Sequence, residues 1–104
     1  MNVLFICSRN HWRSLTAEKM FSGRAGLSVR SAGTAENARI KVNNEHINWA
    51  DIIFVMEQKH HDILLERFPS TMETKKVINL NIPDDYHYMD TELEELLQQV
   101  NEFI

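Results

Sequence analysis

Val3-Leu4-Phe5-Ile6-Cys7-Ser8-Arg9-Asn10-His11-Trp12-Arg13-Ser14 decides how the rest of this 104-residue chain is read. Val3 to Ile6 is a short unbroken apolar run, the pattern of a strand buried on both faces of a parallel sheet. It stops at Cys7, and a helix-compatible segment, Ser14 to Phe21, begins directly after Arg13. A strand, a short loop and a helix N-terminus gather backbone N–H groups around one point and favour an anion there. Arg13 adds a planar, permanently charged fork that grips two oxygens of a tetrahedral oxyanion at once. Cys7 lies beneath that point, where the helix dipole and Arg13 both favour negative charge on its sulfur. The anion pocket and a nucleophile thus coincide.

Outward from this stretch, short apolar runs alternate with helical patterns. Ala17, Met20 and Phe21 are spaced for one buried helix face, and Gly23 or Gly26 suits the turn that closes it. Leu27 to Ser31 alternates as a second strand. Asn37 to Asn48 reads as polar and irregular, with a short helix carrying Ile47 and Val42 inward. Ala50 to Met56 contains the plainest β run. Gln58 to Phe68 follows as a helix with Ile63, Leu64 and Phe68 on one side, ended by Pro69. Val77 to Leu80 is a fourth strand, and Ile82 to Tyr86 a loop. Thr91 with Glu94 suggests a capping box opening a last helix, whose Leu93, Leu96, Leu97, Val100 and Phe103 form an apolar stripe. Strands alternating with helices predict an α/β fold: three layers, doubly wound, around a four-stranded parallel sheet. In such a sheet, sites form beyond the carboxyl ends of the strands, which would bring Cys7, Ser31 and the Asp84–Asp85 loop to one edge.

The totals agree with a folded enzyme-sized unit and exclude several classes. A chain of 104 residues with 43% hydrophobic and 25% charged residues predicts a single domain over residues 1–104. Net charge is −4 without a basic run, which argues against nucleic acid as a partner. No apolar stretch approaches the roughly 20 residues of a membrane span, so no membrane association and a cytoplasmic address are expected. One cysteine, Cys7, excludes an internal disulfide and suits a reducing compartment. His60-His61, with Glu57 one turn before His61, has the spacing of helical metal ligands. No further His or Cys completes a site, so these read as a solvated helix face, and no metal or other cofactor is expected. Nothing reads as an oligomer interface.

Cys7-x5-Arg13-Ser14, placed directly after the first strand, resembles the low-molecular-weight phosphotyrosine protein phosphatase family. Ser31-Ala32-Gly33-Thr34 and Trp49-Ala50-Asp51 are similar to stretches of that family as well. The resemblance implies the phosphotyrosine protein phosphatase I-like fold and a cysteine-dependent phosphatase, acting on a phosphotyrosine protein or a small aryl phosphate. It implies a phosphate-binding loop made by Ser8, Arg9, Asn10, His11, Trp12, Arg13 and Ser14, in which the asparagine at Asn10 fixes the loop. Family members carry their general acid in an Asp-Pro-Tyr segment. The counterpart here is Asp84-Asp85-Tyr86, so Asp84 is the expected acid, with Asp85 as the alternative. Tyr86 and Tyr88 would then wall the pocket. The chain departs from the family pattern at Arg9 (usually glycine), Trp12 (usually a second cysteine) and Leu15 (usually proline). Arg9 is expected either to resist a left-handed backbone or to add attraction for phosphate.

The chemistry these residues suit is phosphate-ester cleavage. Cys7 would attack phosphorus to give a phosphocysteine, loop N–H groups and Arg13 would hold the equatorial oxygens, and Ser14 would donate a hydrogen bond to the sulfur. Two other uses of the same loop stay open. One is an arsenate reductase served by an external thiol, since the chain holds no second cysteine. The other is a phosphate- or phosphoprotein-binding module of weak activity.

Overall fold

The structure, a computed structural model, describes residues 1–104. Four strands, β1 (Asn2–Cys7), β2 (Ser28–Gly33), β3 (Ile52–Val55) and β4 (Lys76–Asn79), form one sheet in the order β2-β1-β3-β4, every pairing parallel. Five α-helices fill the crossovers and the C-terminus: α1 (Arg13–Phe21), α2 (Asn44–Trp49), α3 (Gln58–Arg67), α4 (Pro69–Met72) and α5 (Thr91–Leu97). This is the predicted three-layer arrangement. Strand side chains alternate between two apolar layers, which is why β1 had to be apolar throughout. Val3, Phe5 and Cys7 face Ala17 and Phe21 of α1 and Leu93, Leu97 and Val100 of the C-terminal segment. Leu4 and Ile6 face Ile47 of α2, Leu64 of α3 and Met72 of α4. Phe5 stacks between Phe21 and Phe54, with ring centroids 5.8 and 5.4 Å away. This aromatic stack anchors the central strand immediately behind Cys7.

Several boundaries differ from the sequence expectations, each for a local reason. β2 continues through Ala32 to Gly33, because its end pairs alongside Ile6 and Cys7 rather than turning away after Ser31. The helix expected within 37–48 is the shorter α2, opened by Asn43, whose side chain accepts from the His46 N–H. Pro69 does end α3, but it also occupies the first position of α4, where its missing N–H has no helical partner to lose. Asp90 rather than Thr91 caps α5, its carboxylate accepting from the Glu92 N–H. The last helix tightens into a 3-10 segment at Gln98–Glu102; Leu93, Leu97 and Val100 are buried, while Leu96 lies at the surface of α5.

Parallel pairing puts the carboxyl ends of all four strands at one edge. Cys7 is registered against Gly33, and β3 and β4 end level at Val55 and Asn79. Whatever follows each strand therefore meets at a common crevice.

Candidate active site

The loop after β1 is held from outside by the segment after β2. The carbonyls of Cys7, Ser8 and Arg9 accept from the N–H groups of Thr34 (3.0 Å), Ala35 (2.8 Å) and Arg39 (2.9 Å). Gly33 makes this approach possible: a Cβ there would meet the Ser8 carbonyl oxygen at 2.5 Å. Ser31-Ala32-Gly33-Thr34 thus lies beside the loop. The left-handed residue is Asn10, at φ 58°, not Arg9. Asparagine tolerates that conformation better than most non-glycine residues, so the arginine in a usual glycine position costs no backbone strain here.

Asn10 and Ser14 lie fully buried beneath the sulfur. The Asn10 side-chain amide donates to Ser14 Oγ at 2.7 Å. Because that hydroxyl oxygen is accepting, its hydrogen is left for Cys7 Sγ, 2.9 Å away. The Asn10 backbone N–H also points at Sγ, at 3.2 Å. Two donors therefore converge on the sulfur, an arrangement suited to a thiolate.

Arg13 is 1% exposed, and one edge of its guanidinium is committed to protein. Nη1 donates to Glu57 Oε1 at 2.5 Å and to the Ile82 carbonyl at 2.9 Å. Nε and Nη2 are buried with no hydrogen-bond partner. Unpaired buried donors are costly, the more so on a charged group. The free edge borders a cavity of about 60 Å³ lined by Cys7, Ser8, Arg9, His11, Trp12, Arg13 and Asp84. Two parallel N–H donors, a thiol and a loop around one small hollow form a receptor for a tetrahedral anion.

The acidic residues divide. Asp84 lines the cavity, its Oδ1 lying 3.6 Å from Arg13 Nε. Asp85 is exposed and does not reach the cavity. Two further expectations need correction. Tyr86 and Tyr88 do not wall the pocket: Tyr86 packs against the α1–α5 side of the core, and Tyr88 points to solvent. Trp12 supplies the aromatic wall instead, with the His87 ring packed edge-on 4.7 Å from it. Asn10 and Ser14 support the loop from below rather than lining the hollow.

Glu57 and His60, expected on a solvated helix face, instead contact the loop: Glu57 pairs with Arg13, and His60 is buried against Ser8. Burial alone would raise the Glu57 carboxyl, but its hydrogen bond to Arg13 and the charges of Arg13 and Lys59 hold it below the usual carboxylate range. His60 is fully buried and donates or accepts at Ser8 Oγ through Nε2, 2.9 Å away. Burial first, and the Arg13 charge second, push its pKa down to about 4. A signal existed. Glu57 and His60 directly follow β3, at the strand-end edge where sites form, and their spacing of three puts them on one helix face.

A family model described as low molecular weight phosphotyrosine protein phosphatase matches residues 2–48. Among solved structures, a low molecular weight protein tyrosine phosphatase from T. tengcongensis has a TM-score of 0.80 at 19% identity, covering 100% of this chain and 99% of that one. The fold is that of the low molecular weight protein tyrosine phosphatase structures, and the residues matched by the family model include the anion loop. An arginine phosphatase from Geobacillus stearothermophilus shares the family fold at a TM-score of 0.72 and 23% identity, covering 97% of this chain and 90% of that one. A curated protein-arginine-phosphatase of Geobacillus stearothermophilus is 28% identical over 95 residues, 68% of this chain. The chain spans 64% of that curated relative's length.

Proposed function

We propose that this protein is a cysteine-dependent phosphatase acting on phosphorylated protein side chains, with phosphotyrosine as the leading substrate. The observation that carries this reading is the pair of buried, unpartnered Arg13 donors facing the hollow above Cys7. A positive edge in that position is matched by a tetrahedral oxyanion such as a dianionic phosphoryl group.

In this reading the Cys7 thiolate attacks phosphorus in line with the leaving group. The S–P bond forms as the bond to the substrate atom breaks, and Asp84 gives its proton to that atom. Nε and Nη2 of Arg13 and the loop N–H groups hold the equatorial oxygens through the transition state. Water then attacks the phosphocysteine, the Asp84 carboxylate takes its proton, and the S–P bond breaks to release phosphate and thiolate. Ser14 and the Asn10 N–H stabilise the sulfur both as nucleophile and as leaving group. Glu57 and the Ile82 carbonyl keep the guanidinium edge turned inward.

Trp12 at the mouth favours a planar group next to the phosphate, which fits a phenyl ring. A second reading is hydrolysis of phosphoarginine, favoured by the name of the curated relative and by a planar guanidinium also suiting Trp12. The test is phosphate release from matched phosphotyrosine, phosphoarginine and phosphoserine peptides, with Cys7→Ser as control. Release from a planar substrate by wild-type protein alone is expected. No release from any of the three, or equal release by Cys7→Ser, would overturn the proposal.

A further inference from the structure

We propose that the Ser8 hydroxyl is a dedicated donor to the bound phosphoryl group, and that His60 is the positioning residue that aims it. The inference rests on the anion-site reading above and adds to it an atom-level assignment. His60 sits on the first turn of α3 with its ring locked at both nitrogens. Its Nδ1 accepts from the Glu57 backbone N–H at 3.0 Å. A backbone N–H is only a donor, so Nδ1 carries no hydrogen, and the single hydrogen of the neutral ring resides on Nε2. Nε2 faces Ser8 Oγ at 2.9 Å, so the imidazole donates and the serine oxygen accepts.

This settles the serine's own hydrogen. With its oxygen engaged from behind by His60, the O–H donates elsewhere, and Ser8 makes no other side-chain hydrogen bond. Ser8 lines the hollow next to Cys7 and Arg13. The remaining hydrogen is available to one outlet of matching chemistry, the oxyanion. Glu57 joins the two halves of the device: its carboxylate fixes Arg13 and its backbone N–H fixes the His60 tautomer. One residue after β3 thereby presets both an arginine edge and a hydroxyl donor.

The test is orthovanadate and inorganic phosphate binding, measured by competitive inhibition and by calorimetry on the whole protein. Ser8→Ala is expected to weaken vanadate about 10-fold, the worth of one hydrogen bond to a charged group. Ser8→Thr, which keeps the hydroxyl, is expected to retain wild-type affinity. His60→Gln is expected to weaken vanadate several-fold when Ser8 is present and to change it little in the Ser8→Ala background. That non-additivity separates positioning from general loosening of the loop. Should His60→Gln fail to fold, Ser8→Ala against Ser8→Thr still decides. Wild-type affinity in Ser8→Ala, or equal cost of His60→Gln with and without the hydroxyl, would overturn the inference while leaving the phosphatase reading intact. Failure of the wild-type protein to bind vanadate would instead remove the phosphatase reading beneath it.

Discussion

Asp84 Oδ1 stands 3.6 Å from Nε of Arg13, and the adjacent, exposed Asp85 does not line the cavity that Asp84 lines. Only the first of these neighbouring carboxyls reaches the space where a leaving group must sit. Asp84→Asn is therefore expected to lower kcat by about 100- to 10,000-fold on a poor aryl leaving group, the usual worth of a positioned acid. The loss should shrink for a leaving group that departs without a proton. Asp85→Asn should stay within about two-fold of wild type. Steady-state kinetics on a series of aryl phosphates checks this, and equal losses at both positions would contradict it.

The Glu57 carboxylate does not line the hollow and borders it through Arg13, whose Nη1 it holds. Glu57→Gln keeps an oxygen near Nη1 but removes the charge that holds the fork. An expected loss in kcat/KM of about 10- to 100-fold follows from weakening a charged hydrogen bond. Because Arg13 holds the Glu57 carboxyl below its ordinary range, the pair should persist into mildly acid solution. Arg13→Lys should lose more than Glu57→Gln, since an ammonium cannot present two parallel donors. A Glu57→Gln protein as efficient as wild type would contradict the assignment.

His60 ties stability to pH. Its folded pKa lies near 4 against an ordinary 6.5, so between those values the unfolded chain binds more protons than the folded one. The stabilisation is complete above pH 6.5 and is lost as pH falls toward 4, amounting to about 3 kcal/mol at full extent. Urea unfolding at stepped pH should show stability rising with pH through this window, with a flatter profile in His60→Gln. Identical slopes for the two proteins would contradict a buried neutral imidazole.

Trp12 lines the hollow, and in the proposed reaction it faces the group that carries the phosphate. Trp12→Ala should raise KM for aryl phosphates about 10-fold, with inhibition by inorganic phosphate changed less, and Trp12→Phe should recover most of the loss. An effect of equal size on phosphate itself would show that the ring shapes the loop rather than the mouth.

The sequence was most informative where a single local rule governed. β1 and the Cys7–Ser14 loop were legible because an apolar run, an anion-binding turn and a helix start follow one another without interruption. The sheet followed from alternation of strands and helices. Side chains whose roles depend on tertiary direction were harder. The family resemblance implied Tyr86 and Tyr88 as pocket walls, but the loop after β4 turns His87 onto Trp12 and Met89 N–H onto Thr16 Oγ1 at 2.9 Å. Glu57 and His60 looked like surface because polar residues opening a helix usually are. The pairing of Glu57 and the burial of His60 come from Arg13 and Ser8, which arrive from about fifty positions earlier, so their position after β3 was the one local signal.

The central claim is that the Cys7 sulfur takes the phosphoryl group. Rapid mixing of the protein with an aryl phosphate, an acid quench and mass spectrometry of the peptide containing Cys7 tests it most directly. One phosphoryl group on Cys7 in wild-type protein, with slower breakdown in Asp84→Asn, is the predicted result. Turnover of the same substrate with no phosphoryl group ever trapped on Cys7, and undiminished turnover in Cys7→Ala, would contradict it.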